Sequence, residues 1–302
     1  MASYEFVTLN VFTDERFGGN PLAVLPDANG LTDAQMQAIA AEFNLSETTF
    51  VLPPDNPRHH ARVRIFTRKH EMSFAGHPNV GTGFVFATMA GDPPEHYTFE
   101  EIAGLVRVHI LRDANRRISG ARIAAPRSLS IDIGLPVEVV AACASLSPND
   151  IATLSHTPLV ASVGTPFALA EVASVEALSS AEPDLAAFRS AAARFPTLDG
   201  RMPLYLYAWM PGGERRIRAR MFAPLGGIDE DPATGSAAAT LAALLTSIAP
   251  GDNLNLSYAI EQGVEMGRPS LISASAVKSG EGPVSASVAG SCVPVSRGTL
   301  EV

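Results

Sequence analysis

Four short peptides recur in the same order in the two halves of this chain, and that repeat constrains the fold more than any other feature of its 302 residues. Gly19-Asn20-Pro21-Leu22-Ala23-Val24 is echoed by Gly164-Thr165-Pro166-Phe167-Ala168-Leu169. Arg64-Ile65-Phe66-Thr67 is echoed by Arg220-Met221-Phe222-Ala223. His77-Pro78-Asn79-Val80-Gly81-Thr82-Gly83 is echoed by Asp231-Pro232-Ala233-Thr234-Gly235-Ser236-Ala237, and Gly91-Asp92 by Gly251-Asp252. One match would be chance. Four that keep their order while the spacing drifts slowly point to a duplicated domain.

In each half the third peptide leads into a stretch without charge, Phe84 to Ala90 and Pro232 to Pro250. A helix that is apolar all round must be buried all round, and proline at its first position is compatible with such a start. Each copy therefore reads as a curved sheet wrapped around one buried helix. The second stretch, rich in Ala, Thr and Ser and bounded by prolines, reads as a core helix rather than a membrane span. The join between copies falls near Arg127 to Ile133.

Local signals supply the remaining elements. Phe6 to Phe12 is rich in strand formers and ends at the turn Phe17 to Pro21, before a second strand, Leu22 to Leu25. Thr32 with Gln35 forms a capping box, Met36, Ile39, Ala40 and Phe43 make one apolar face, and Asn44 stops the helix. Leu45 to Leu52 reads as a strand entered from a tight turn. Arg62 to Thr67, Tyr97 to Phe99, Leu105 to Leu111 and Val288 to Val295 are further strands. A composition of 46% hydrophobic and 18% charged residues is that of a globular protein with a core. The net charge of -9 argues against nucleic acid as a partner. No basic, then apolar segment follows Met1, so no signal peptide is expected. Two cysteines, Cys143 and Cys292, lie outside any metal or redox spacing and read as reduced structural thiols of a cytoplasmic protein. The seven histidines form no H-x-x-x-H or H-x-H set, and no phosphate loop or dinucleotide fingerprint occurs, so neither metal nor cofactor is expected.

The chemistry concentrates at the starts of the two uncharged helices. A helix N-terminus offers free N–H groups and about half a positive charge. Gly76, His77, Gly81 and Thr82 supply glycine and polar groups there in the first half. Asp231, Gly235 and Ser236 supply them in the second. Two such ends facing one cleft would grip the anionic group of a small acid. Glu47 stands in a neutral stretch between hydroxyl pairs and an apolar run, where desolvation would suit it to proton transfer. Superposing the halves puts Arg201 opposite Glu47, with Asp199 the nearby acid, so the site is expected to hold one base rather than two. The alternating Arg215, Arg216, Arg218 and Arg220 read mostly as a solvated face, with one arginine turned toward the cleft.

Gly18 to Pro21, Ser46-Glu47-Thr48-Thr49-Phe50, Phe74-Ala75-Gly76-His77-Pro78 and Asp231 to Ala237 together resemble the PhzF family, the phenazine-biosynthesis-like isomerases, over nearly the whole chain. The resemblance implies an α+β, diaminopimelate-epimerase-like fold. Its two pseudo-symmetric domains would each be a barrel-like, mostly antiparallel sheet around a central helix, spanning 1–127 (completed by 288–302) and 128–287. It implies Glu47 as catalytic acid/base, with His77 and Asp231 assisting proton handling. Gly76, Gly235 and Ser236 would hold a small carboxylate substrate, without cofactor, in a homodimer. Related epimerases and racemases carry a cysteine pair at the helix starts, which this chain lacks, so two-thiol chemistry is disfavoured. The alternatives are an amino- or hydroxy-acid epimerase with Glu47 and Asp231 as opposed bases, or a non-catalytic protein that binds small acids.

Overall fold

The computed structural model describes residues 2–198 and 200–302, without the side chain of Thr197. The chain divides into two compact units, Met1–Pro126 with Val288–Val302, and Arg127–Ser287.

Unit 1 contains β1 (Ser3–Val11), β2 (Asn20–Leu25), α1 (Asp33–Phe43), β3 (Glu47–Leu52), β4 (Ala61–Phe66), β5 (Glu71–Met72), α2 (Gly76–Met89), β6 (His96–Glu101), β7 (Gly104–Arg112) and β8 (Ile118–Ala124). Unit 2 contains β9 (Ser130–Gly134), α3 (Val137–Cys143), β10 (Ile151–Ala152), β11 (Leu159–Ser162), β12 (Pro166–Val172), α4 (Val175–Ser180), α5 (Leu185–Arg194), β13 (Leu204–Trp209), β14 (Arg216–Ala223), β15 (Ile228–Asp231), α6 (Gly235–Ile248), β16 (Asn253–Gln262) and β17 (Ser270–Ser279). A last strand, β18 (Ser285–Glu301), gives unit 1 its residues from Val288 onward.

The pairings repeat as the peptides do. In unit 1, β2 runs parallel to β3, β3 antiparallel to β4, and β4 parallel to β6, which turns back into β7. In unit 2, β12 runs parallel to β13, β13 antiparallel to β14, and β14 parallel to β16, which turns back into β17. The remaining ladders of unit 1, β1 with β2 and β18 and β8 with β7 and β18, close its sheet into an eight-stranded barrel. This is the expected α+β architecture.

Each sheet encloses its uncharged helix. In α2, residues Gly76 to Phe84, Val85 and Ala87 are buried, packed against β1, β2, β3, β7 and β8. In α6, Gly235 and Ala237 to Thr246 are buried against β11, β12, β16 and β17. Each large apolar side chain so buried contributes about 1.5–3 kcal/mol. The first helix starts two residues before the expected proline: Ala75 is the N-cap, and Pro78 is third. Its missing N–H still falls in the turn that has no helical acceptor. Outside the barrel core, α1 has its capping box between Thr32 and Gln35, and Asn44 ends it at φ 53. Among the described residues no helix is long and apolar enough to cross a membrane.

One expectation holds only in part. Arg215 and Arg216 stay half-exposed, but Arg218 and Arg220 are not on a solvated face, with side chains 15% and 8% exposed. Arg216, Arg218 and Arg220 share one side of the strand by the period of two, and each meets a carboxylate: Glu261 at 2.8 Å, Glu261 at 3.0 Å and Glu230 at 2.8 Å. Arg220 is buried, and its Nη1 also donates to the carbonyls of Leu178, Ser179 and Ala181. Acids distant in sequence neutralise the row, which its alternation alone does not reveal. Arg220 grips Glu230 on β15 through Nε and Nη2, both at 2.8 Å, as its counterpart Arg64 grips Glu71 on β5, both at 2.7 Å. Each fork ties down the short strand just before the buried helix begins.

Close strand approach sets a steric limit. A Cβ on Gly120 of β8 would stand 2.0 Å from the Gly290 carbonyl oxygen of β18. Backbone cannot rotate away from backbone, so Gly120→Ala should destabilise the protein by about 1–3 kcal/mol. The measurement is a thermal melt, where the midpoint should fall by several degrees; an unchanged midpoint would refute this account of barrel closure.

Candidate active site

In unit 1 the structure brings Glu47 and His77 together. Glu47 opens β3 directly after the left-handed Asn44 and the turn at Ser46, with Leu22 as its parallel-strand partner. Its side chain is 16% exposed, so it does not point into bulk water. His77 is the second residue of α2 and is buried, with Nε2 3.4 Å from Oε2 of Glu47. Burial pushes the His77 ring down to about 3, opposed by a hydrogen bond with the backbone of Pro21. Proline offers only a carbonyl, so the ring is the donor. Among the described residues Nε2 has no hydrogen-bond partner, which makes Nδ1 the donor. His77 is therefore a neutral imidazole whose Nε2 lone pair faces Glu47. Pro21 belongs to the Gly-Gly-Asn-Pro turn, so this motif fixes the tautomer of a residue more than fifty positions away.

Gly76 is the first residue of α2 and is buried beside His77. Gly81 and Thr82, expected near the ligand, belong instead to the core. A Cβ on Gly81 would meet Leu22 at 2.5 Å and Val11 at 2.9 Å, and the Thr82 hydroxyl pairs with that of Thr49 at 2.9 Å. One and a half helical turns separate them from the helix start, which is why the shared peptide does not place them there.

In unit 2 the structure brings Asp231, Gly235 and Ser236 into one turn. Asp231 ends β15, Thr234 is the N-cap, and Gly235 and Ser236 open α6. Asp231 is not itself the cap. It is buried and accepts a 2.5 Å hydrogen bond at Oδ2 from the Thr234 hydroxyl. Among the described residues neither Ala75 nor Thr234 caps its helix by a side chain, so the first-turn N–H groups of α2 and α6 are left to other acceptors. Arg201 lies in an exposed turn and not opposite Glu47: the strand registers put Pro203 at the position equivalent to Glu47, because the spacing between the copies drifts by two residues here; Asp199 lies outside the described residues.

Burial pushes both thiols up, Cys143 to about 12 and Cys292 further, so each is a protonated core group. Among the described residues no group of three or more His, Cys, Asp or Glu is arranged to hold a metal ion. Sequence reasoning missed Gln262 and Tyr205, which hold the Asp231 turn, and Glu101. None of the three lies in a repeated peptide. Glu101, at the end of β6, has both carboxyl oxygens buried, and burial pushes it up to about 8, opposed by the Asn79 amide in the first turn of α2.

The fold and these two helix starts define a duplicated, epimerase-like architecture. Residues 9–298 match the phenazine biosynthesis-like proteins, PhzC-PhzF. The chain is 39% identical to an uncharacterized isomerase of Mesorhizobium japonicum, covering 99% of both chains. It is 36% identical to trans-2,3-dihydro-3-hydroxyanthranilate isomerase of Pseudomonas chlororaphis, over 98% of this chain and 99% of that one. A PhzF-family structure from Bacillus anthracis superposes with a TM-score of 0.88 at 23% identity, covering 100% of both. The protein belongs to the PhzF family of phenazine biosynthesis-like isomerases.

The buried Glu101 carboxyl gives a signed prediction. Its folded value lies above the ordinary 4.5, so the folded state binds more protons from about pH 4.5 to about 8, and stability falls as pH rises through that window. Glu101→Gln should raise the melting midpoint at pH 9 by at least about 2 °C and flatten its fall between pH 5 and 9. A midpoint at pH 9 equal to wild type would contradict this.

Proposed function

We propose that this protein is a cofactor-independent isomerase that moves a proton between carbons of a small carboxylate-bearing substrate, with Glu47 as acid and base. The reading is carried by Oε2 of Glu47 held 3.4 Å from a neutral, buried His77 at an N-terminus that no side chain caps among the described residues.

The steps balance without an external reactant. Ionised Glu47 takes the proton from a carbon next to an unsaturated group, and the C–H electron pair shifts into the conjugated system. The shifted pair then takes the proton back from the Glu47 carboxyl at another carbon, and Glu47 is ionised again. In the tautomer set by Pro21, Nε2 of His77 is an acceptor. It takes a hydrogen bond from the Glu47 carboxyl while that group carries the proton, keeping the acid in place between abstraction and return. The contact is long at 3.4 Å, as catalytic hydrogen bonds often are without substrate. Backbone N–H groups at Gly76 and at Gly235 and Ser236 are proposed to bind the substrate carboxylate. Asp231 is proposed to assist proton handling. The chain is also proposed to work as a cytoplasmic homodimer, which light scattering tests.

The dihydro-hydroxyanthranilate named for the Pseudomonas relatives is the first substrate to assay. Glu47→Gln should lower turnover and deuterium uptake from D2O by about 10²–10⁴-fold with the melting midpoint preserved. Wild-type exchange in that variant would refute the assignment. Proton NMR of the product distinguishes a double-bond shift from inversion at one carbon, the outcome expected of an epimerase.

A further inference from the structure

The start of α6 is held by a side chain outside the repeated peptides, Gln262. It is the last residue of β16 and fully buried, and its amide uses every hydrogen-bonding position it has. Nε2 donates to the Asp231 carbonyl at 2.8 Å and to the Thr234 hydroxyl at 3.1 Å. Oε1 accepts from the Thr234 N–H at 3.1 Å and from the Tyr205 hydroxyl at 3.1 Å. An amide has two donor hydrogens and two acceptor lone pairs, and all four are taken. The orientation is unambiguous, because a flipped amide would set its nitrogen against the Thr234 N–H and its oxygen against the Asp231 carbonyl. The next residue fits the same close approach. Gly263 has φ +74, and a Cβ there would stand 2.6 Å from the Pro232 carbonyl oxygen.

This arrangement fixes the direction of a chain of hydrogen bonds. Thr234 Oγ1 accepts from Gln262, so its single hydrogen goes to Asp231 Oδ2, 2.5 Å away. Oδ2 thereby already accepts one hydrogen bond, which favours Oδ1 as the oxygen that carries a proton Asp231 exchanges. The Tyr205 hydroxyl is kept protonated by burial and by the Asp231 charge, so it stays a donor to Gln262.

We propose that Gln262 is a positioning residue which, through Thr234, dictates which carboxyl oxygen of Asp231 handles the proton. The proposal rests on the reading of Asp231 as an active-site group. It accounts for a fully buried glutamine whose partners all lie in the Asp231–Thr234 turn or beneath it. A glutamine that only filled space would not need its donors and acceptors divided in this way.

The test uses the full chain, with trans-2,3-dihydro-3-hydroxyanthranilate as probe, and crystal structures of the variants. Gln262→Met keeps the volume and removes all four bonds. It should lower kcat by about 10–100-fold with KM within about threefold. The limb of the pH–rate profile that Asp231→Asn abolishes should move by about one pH unit. In the crystal, the Thr234 hydroxyl and Asp231 carboxylate should rotate away from their wild-type contact. Thr234→Val, which leaves Gln262 in place and serves if Gln262→Met folds poorly, should reproduce the kcat loss. Thr234→Ser should restore most of it. Gln262→Met or Thr234→Val with wild-type kcat and pH profile overturns the proposal if Asp231→Asn is inactive. Full activity in Asp231→Asn instead overturns the reading of Asp231, and this proposal with it. Should the probe not be turned over, the crystals decide: an Asp231 carboxylate unmoved in Gln262→Met refutes the inference, and a rotated one supports it.

Discussion

The whole structure answers to one constraint, a helix with no polar face. The α2 segment GHPNVGTGFVFATM and the α6 segment GSAAATLAALLTSI contain no Asp, Glu, Lys or Arg, and nearly every residue of each is buried. Such a helix cannot lie on a surface, so strands must surround it. In unit 1 they do so by closing into a barrel with the C-terminal β18 as its last stave. Enclosure takes the helix out of water, but its first turn still has N–H groups without helical acceptors. A buried helix end of this kind is costly if nothing receives those groups. The architecture that solves the packing problem thus creates a place where an anion is favoured, and the short strands pinned by Arg64 to Glu71 and Arg220 to Glu230 fix where the chain enters it.

The same enclosure sets the electrostatics of the first site. His77 is neutral because burial disfavours the imidazolium, and the carbonyl of Pro21 takes its Nδ1 hydrogen. A charged histidine would hold Glu47 as a permanent ion pair. A neutral one offers only a lone pair, which interacts with the carboxyl when that carries a proton. In the role proposed for Glu47, a neutral His77 would attend the protonated carboxyl without competing with the substrate for the ionised one. Glu101, also buried, shows the alternative result of burial, a carboxyl pushed up to about 8 that the Asn79 amide only partly offsets.

What was legible in the sequence was whatever is local or repeated. The capping box at Thr32 and Gln35 and the stop at Asn44 involve residues a few positions apart, and each is present as read. The duplication was legible because both copies keep the parallel-antiparallel-parallel order of strands that their shared peptides begin. The pairing of Glu47 with His77 was approachable only because each lies in a distinctive peptide. Long-range partners were not legible. Arg216, Arg218 and Arg220 look like a solvated row until Glu230 and Glu261 are brought to them by the sheet. Gln262 carries no local mark of its role, since its partners lie twenty-eight to fifty-seven residues away. Gly81 misled for a related reason: the peptide says that glycine is needed but not whether Leu22 or a ligand fills the space.

Duplication leaves the two helix starts topologically equivalent, yet their chemistry has diverged. Where unit 1 has His77 two residues into its helix, unit 2 has Asp231 four residues ahead of Gly235. Where unit 1 has the glutamate of β3, the matching ladders of unit 2 place Pro203. The supports have diverged with them. His77 is held by a backbone carbonyl, which fixes a tautomer, whereas the turn of Asp231 is held by a side-chain amide, which fixes the direction of a hydrogen bond. A neutral ring and a carboxylate need different anchors: the ring must have one nitrogen occupied to define the other, and the carboxylate must have one oxygen occupied to define the other. In both units the anchor lies beyond the helix peptide, in the β2 turn for His77 and at the end of β16 for Asp231. An inherited scaffold can therefore keep its helix starts while changing what they do, provided that the strand beside each one changes with it.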